Sequence, residues 1–261
     1  MSRNSVGYTI AFAAGVCVVC SVLVSGSAVG LKDRQVANAI ADKQKKVLVV
    51  AGVLQEGEKV SNEDAQSKFD ANITPRVVDM KSGQYADEAV DVASYDARKA
   101  AKDDTLSFDV EENTAKVKRV PNHTVVYEVK DESGDVDQVI LPIHGPGLWS
   151  TLYGFISLDT DGDTIRGITF YEHGETPGLG GEVDNPRWKG LWVGRKVHDA
   201  DGEIAISVNK GAAGSVEDDP NHVDGLSGAT LTSNGVTYTL DFWLGEDGFG
   251  PYLAQNTDGA Q

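Results

Sequence analysis

The chain has 261 residues, 40% of them hydrophobic and 24% charged, which is enough to bury the core of one or two domains. Forty acidic residues against 23 basic ones leave a formal net charge of -17. That balance argues against a nucleic-acid partner, since phosphate recognition needs a basic face. The only cysteines, Cys17 and Cys20, sit inside an apolar run, so the remainder has no disulfide to lean on.

That run, Val6 to Val29, lies in an uncharged stretch from Ser5 to Leu31 and is long enough to span a bilayer as a helix. Gly26-Ser27-Ala28 would also suit a signal peptidase, but the apolar segment exceeds the about 7 to 15 residues of a signal core, so a retained anchor is the preferred reading. Arg3 on one side and Lys32, Arg34, Lys43, Lys45 and Lys46 on the other leave the orientation weakly encoded. Residues 32 to about 54 read as a helical stalk, with Val36, Ile40, Val47 and Val50 among polar neighbours.

Ser61 with Asp64 three residues on has capping-box form and predicts a short helix through Phe69. Ile73 to Met80 reads as a strand, which Pro75 places at a sheet edge. Glu88 to Lys102 is predicted as a surface helix, and Leu106 to Val120 has no clear assignment. His123–Lys130 and Val139–Ile143 are strands around a turn at Glu132–Asp135. The Pro142–Ser150 stretch is a loop stiffened by proline. Leu152–Leu158 and Thr164–Tyr171 form a hairpin across Asp161-Gly162. Asp159, Asp161 and Asp163 invite a calcium reading, but the glycine comes too early and Phe170 stands where the closing glutamate belongs, so a turn is preferred. Trp188, Leu191, Trp192 and Val193 are read as packing, Ala205–Val208 as a short strand, Gly211–Val223 as an irregular acidic loop and the tail from Ala254 as frayed.

Two stretches carry chemistry. His173 to Glu182 holds four glycines and a proline, so a flat aromatic ring could lie against its backbone, with Thr176 and free amides at the ring's polar edge and Leu179 on its face. His173 has no partner at metal-ligand spacing and is read as a structural or rim residue. Asp224 to Gly235 joins a glycine-rich turn to an amphipathic run in which Val236, Leu240, Trp243 and Leu244 recur at helical spacing until Gly245. A helix starting near Thr230–Ser233 would offer unpaired amides to a phosphate. Thr230 there is either an ordinary N-cap or itself the carrier of a phosphate ester.

DGLSGATLTS together with ETPGLG at Glu175 to Gly180 resembles the periplasmic FMN-binding domain family, in which the threonine of SGAT is esterified to the FMN phosphate. HGPGLWSTLYGFISL, YEHGETPGLGGEVDNPRW, DFWLG and FGPYL are similar, within that family, to the C subunits of the sodium-translocating NADH:quinone oxidoreductases. Likeness covers nearly the whole chain and is loosest between residues 55 and 120. The G subunits of Rnf complexes share both flavin motifs but fit the GPGLWS and NPRW segments less well.

The resemblance implies covalent FMN on Thr230. It gives Ser227, Gly228, Ala229, Leu231, Thr232, Glu175, Thr176, Gly178, Leu179, Gly180 and Trp149 as further cofactor-binding residues, and calls for no catalytic base and no metal. It implies an electron carrier that passes electrons from an iron-sulfur centre to a flavin of the complex's B subunit, on the way to quinone. The B, D and E subunits would be its neighbours, and a flavin transferase using FAD and magnesium would recognise Asp224 and its small neighbours. Glu172, Glu175 and Glu182 would lower the flavin potential. The implied place is the bacterial inner membrane, with the flavin domain in the periplasm. An Rnf-type component and a flavin-free scaffold are the alternatives.

The expected fold is α+β: a single N-terminal transmembrane helix, then a mixed, mainly antiparallel sheet with flanking helices. The expected divisions are 1–31 for the anchor, 32–120 for the stalk and membrane-proximal portion, 121–254 for the flavin domain and 255–261 for a polar tail.

Overall fold

The computed structural model describes residues 5–92, 94–131 and 133–257, so Arg3, Glu132 of the expected turn and the end of the polar tail lie outside the described residues. The chain divides into two compact units, Met1–Lys43 and Gln44–Gln261. The first holds most of helix α1 (Val6–Val50), the one described helix long and apolar enough to cross a membrane. Its apolar window is wholly exposed, which suits a lipid environment.

In the second unit the end of α1 is core and not stalk. Val47, Leu48, Val50 and Leu54 are buried against Phe69, Ile73, Tyr127, Ile140 and Phe155. Helix α2 (Asn62–Asn72) starts as its capping residue dictates, the Ser61 hydroxyl accepting the Asp64 N–H at 3.0 Å. Strand β1 (Ile73–Asp79) follows directly. The helix expected over Glu88–Lys102 shrinks to α3 (Ala97–Ala100). Acidic and hydroxyl side chains make local bonds up to its start, and the helix begins only at the cap. Asp87 accepts the Val77 N–H at 2.8 Å, Ser94 bonds to Asp91, and Asp96 caps Arg98 and Lys99. The unassigned stretch contributes a small antiparallel pair, β2 (Ser107–Asp109) with β3 (Arg119–Pro121).

Strands β4 (His123–Lys130), β5 (Val136–Pro146), β6 (Thr151–Asp159) and β7 (Ile165–Glu172) complete a five-stranded antiparallel sheet in the order β1-β4-β5-β6-β7. Pro75 does lie on an edge strand, β1. Strand β5 runs through Pro142 and Pro146, where the prolines predict a loop. Its pairing with β4 ends at Ile140, and the ladder to β6 continues alone, Pro142 opposite Phe155 and Pro146 opposite Thr151. Donors alternate sides along a strand, so both prolines turn their missing N–H away from β6.

The vacated side of β5 is taken by helix α5 (Thr230–Leu244), whose Trp243 indole N–H donates to the His144 carbonyl at 2.6 Å. Period-2 alternation sends neighbours to opposite faces, Leu141 and Ile156 toward α5 and Ile140 and Phe155 toward the end of α1. Both faces are therefore covered, which is why β5 and β6 read as apolar runs.

The β6–β7 turn is built as the sequence implied. Asp161 accepts the Asp163 and Thr164 N–H groups, and the Lys196 ammonium sits 3.1 Å from Asp161 and 3.3 Å from Asp163. Lys196 thus pairs with two of the three acids, and Arg166 with the third, Asp159, at 3.1 Å. A 3-10 turn (Gly180–Asp184) and helix α4 (Pro186–Gly190) then place Trp188 and Trp192 in the core, whereas Val193 is exposed. Strand β8 (Ser207–Val208) pairs in parallel with β9 (His222–Val223), the one parallel ladder among the described residues. Helix α6 (Gly250–Asn256) extends past the expected start of the tail, held by the Asn256 amide donating to the Gly83 carbonyl at 3.1 Å.

Candidate functional site

Thr230 is the first residue of α5, and its side chain is exposed. The N-cap position is Ala229, which supplies no side-chain hydrogen bond. With no side-chain cap from Ala229, an anion there would meet the positive end of a 15-residue helix. The four hydroxyls of the motif are not equivalent. Thr232 and Ser233 are buried, Thr232 donating to Glu175 at 2.7 Å and Ser233 accepting the Leu226 N–H at 3.1 Å. Ser227 and Thr230 face solvent.

The approach to the helix is fixed from behind. The Trp188 indole N–H donates to the Asp224 carbonyl at 2.8 Å, and the Asp224 carboxylate accepts the Ala213 N–H at 2.7 Å. Gly225 donates its N–H to Gly211 at 2.9 Å, and a Cβ on Gly225 would collide with the Asn209 carbonyl. Gly228 has φ +72°, and its missing Cβ would stand 3.0 Å from the Leu179 side chain. Leu179 of the ETPGLG loop thus touches the SGAT turn.

The two loops meet again at Glu175. This buried carboxylate accepts the N–H groups of Leu148 (3.1 Å), Trp149 (2.9 Å) and Ser150 (3.2 Å) as well as the Thr232 hydroxyl. Burial works against its charge, but the Thr232 hydroxyl and the three amides outweigh burial and hold its pKa below the usual value. Gly180 is packed so closely that a Cβ would lie 2.6 Å from both Glu175 Oε2 and Thr232 Oγ1. His173 has the structural part expected of it, accepting the Glu175 N–H at Nδ1 (3.2 Å) and donating from Nε2 to Asp184 (2.8 Å).

On the outer side, Leu148, Trp149, Leu179 and Leu231 are exposed, Trp149 at 71% and Leu231 at 61%. Large apolar side chains left exposed on loops that are bonded to one another suit contact with an apolar or aromatic group. Thr176 and Gly178 lie on this exposed rim, whereas Gly180 and Ala229 are buried beneath it. The other acids expected to bias a flavin have partners, Glu172 with Arg98 at 2.8 Å and Glu182 with the Asn185 amide at 2.7 Å.

Sequence reasoning misses the anchoring by Trp188 and the closing of Glu175 by Thr232. Trp188 reads as packing because its spacing is that of a core residue. Its polar tip can be followed to a partner only in three dimensions.

Residues 147–245 match the model of the FMN-binding domain family. These residues begin at the loop held by Glu175 and end just past α5. The C subunit of the Na(+)-translocating NADH-quinone reductase of Vibrio parahaemolyticus serotype O3:K6 is 49% identical over 263 residues, covering 99% of this chain and 98% of that one. Its counterpart in Pseudomonas aeruginosa is 48% identical over 256 residues and covers 97% of each. The crystal structure of Shewanella oneidensis NqrC superposes with a TM-score of 0.75 at 36% identity, covering 82% of this chain and 95% of that one. Relatives matched end to end at nearly half identity, with the FMN-binding domain model covering the two loops that meet at Glu175, make this chain a member of the family of C subunits of Na(+)-translocating NADH-quinone reductases.

Proposed function

We propose that the chain carries FMN as a phosphate ester on Thr230. As a member of the C-subunit family it is an FMN-carrying electron-transfer component of a sodium-translocating NADH-quinone reductase, a translocase. The observation that carries the Thr230 assignment is the inequality of the motif's hydroxyls: Thr230 is exposed at an uncapped helix start while Thr232 and Ser233 are buried and engaged. FMN, when bound, supplies the redox chemistry. The chain's own residues supply the fixed hydroxyl, the first-turn amides of α5 for the phosphate, and the exposed faces of Trp149, Leu179 and Leu231 for the ring.

Ser227, Gly228, Gly178 and Thr176 let backbone and small polar groups approach the ring edge. An open site of this kind suits relay between partners, with electrons arriving from an iron-sulfur centre and leaving for a flavin on the B subunit. The D and E subunits are further neighbours, and a flavin transferase reads Asp224 and the small residues that follow. Helix α1 anchors the chain in the inner membrane with the flavin domain on the periplasmic side.

Wild-type protein produced with the transferase gives a denatured gel band that fluoresces, and its Thr230 peptide carries the mass of FMN. Thr230→Ala gives a dark band. A modification found on Ser227, or no modification in material from the native host, overturns the assignment in favour of another acceptor or a scaffold role. Protease added to spheroplasts tests the side of the membrane, and the domain is expected to be cleaved from outside.

A further inference from the structure

We propose that Glu175 is a positioning residue, not a flavin ligand, and that its carboxylate locks the 147–150 loop to the first turn of α5. A carboxylate offers about four lone-pair sites. Here the Oε1 atom accepts from Trp149 and Ser150, and the Oε2 atom accepts from Leu148 and Thr232. All four sites are filled by protein donors 25 to 57 residues away in the sequence, and none remains for a ring N–H. Glycines close the space around it, since a Cβ at Gly147 or Gly180 would run into the carboxylate.

The lock extends outward. Ser150 Oγ accepts the Gly174 N–H at 2.6 Å, and His173 receives the Glu175 N–H while bonding Asp184. The indole of Trp149 is exposed, so its place is set through its backbone, by the N–H held on Glu175 and by the Gly147 N–H donating to the Ser150 carbonyl at 2.7 Å. Thr232, two residues from Thr230, is the other end of the same lock. Glu175 therefore fixes the distance and tilt between the apolar face at Trp149 and the attachment hydroxyl. This consequence rests on the assignment of Thr230, while the lock itself does not.

The test separates the two. In a Thr230→Ala background, which carries no flavin, Glu175→Gln replaces two acceptor sites by N–H groups that face the loop amides. Hydrogen exchange at Leu148, Trp149 and Ser150 should accelerate by about tenfold or more while the far-ultraviolet spectrum is kept, since bonds to a charged acceptor are the stronger kind. In protein with Thr230 intact, Glu175→Gln should leave the denatured band fluorescent, but the flavin of the folded protein should brighten as stacking on Trp149 is lost, and its induced circular dichroism should fall. Thr232→Val cuts only the link to α5. It should keep the three amides protected and still change the flavin spectra. Unchanged exchange in Glu175→Gln overturns the lock, and unchanged flavin spectra in both variants overturn its positioning role. A shifted flavin potential with unchanged exchange would make Glu175 a ligand instead. A dark wild-type band would sink the Thr230 assignment and leave the exchange result standing.

Discussion

Trp188 lies 36 residues before Asp224, yet its indole N–H holds the Asp224 carbonyl and so the entry to the attachment turn. Trp188→Phe keeps an aromatic ring beside Trp192 but removes the donor together with part of the buried indole, leaving the carbonyl to find another partner. The expected cost of the lost hydrogen bond and ring volume is about 2 to 4 kcal/mol, read as a lower urea midpoint with the fold intact. The yield of covalent flavin per protein should fall with it, because the transferase would meet a looser turn. An unchanged yield would mean that Trp188 serves the core alone. At this scale the sequence was legible where chemistry is local and illegible where it is not. Thr230 stands in a contiguous motif, but the donors that fill Glu175 come from Leu148, Trp149, Ser150 and Thr232, which no local pattern connects.

Among the elements, α5 was legible almost to the residue, because its apolar spacing is helical and Gly245 ends it. The second half of β5 was not, because Pro142 and Pro146 signal a loop unless one knows that β4 has already ended and α5 takes its side. The two elements meet through glycine. A Cβ at Gly235 would strike the Pro146 carbonyl, and one at Gly145 would strike Thr239. Gly235→Ala gains about 1 kcal/mol of helix propensity yet forces backbones apart, so a net loss of about 2 to 3 kcal/mol is expected. Gly211→Ala, where nothing lies within 4 Å of the new Cβ, should change stability by no more than about 0.5 kcal/mol. Urea titration of both settles the matter, and a Gly235→Ala protein as stable as the wild type would show that α5 can move off β5. The helix expected over Glu88–Lys102 is cut short for a different reason: the Ser94 hydroxyl bonds back to the Asp91 carboxylate, and Asp96 caps Arg98 and Lys99, so the helix begins only there.

For the molecule as a whole, the balance of charge and of buried titratable groups sets a response to acid. His144 stacks on Tyr153, at 5.5 Å, and lies tilted against Trp243, at 4.7 Å between ring centroids. Burial, and secondarily the Arg98 guanidinium, lower its pKa to about 4. Below about pH 6.5 the unfolded chain takes up a proton that the folded chain refuses until about pH 4, so stability falls as pH falls through that window, by about 2 kcal/mol at pH 5. Asp161 acts lower on the scale. Burial opposes its charge, but Thr164, the Asp163 amide and Lys196 outweigh burial and bring it to about 2, so its contribution is present above the ordinary aspartate pKa and lost on the way down to about 2. The net charge of -17 works the other way, since protonation relieves repulsion, and high salt removes that opposing effect. Urea midpoints at pH 7 and pH 5 in about 1 M salt, where the screening length is only a few ångströms, should therefore show a loss in the wild type. His144→Phe keeps an aromatic ring between Tyr153 and Trp243 and should show much less of it. If the variant loses as much as the wild type, the proton is taken up elsewhere and His144 is only a packing residue.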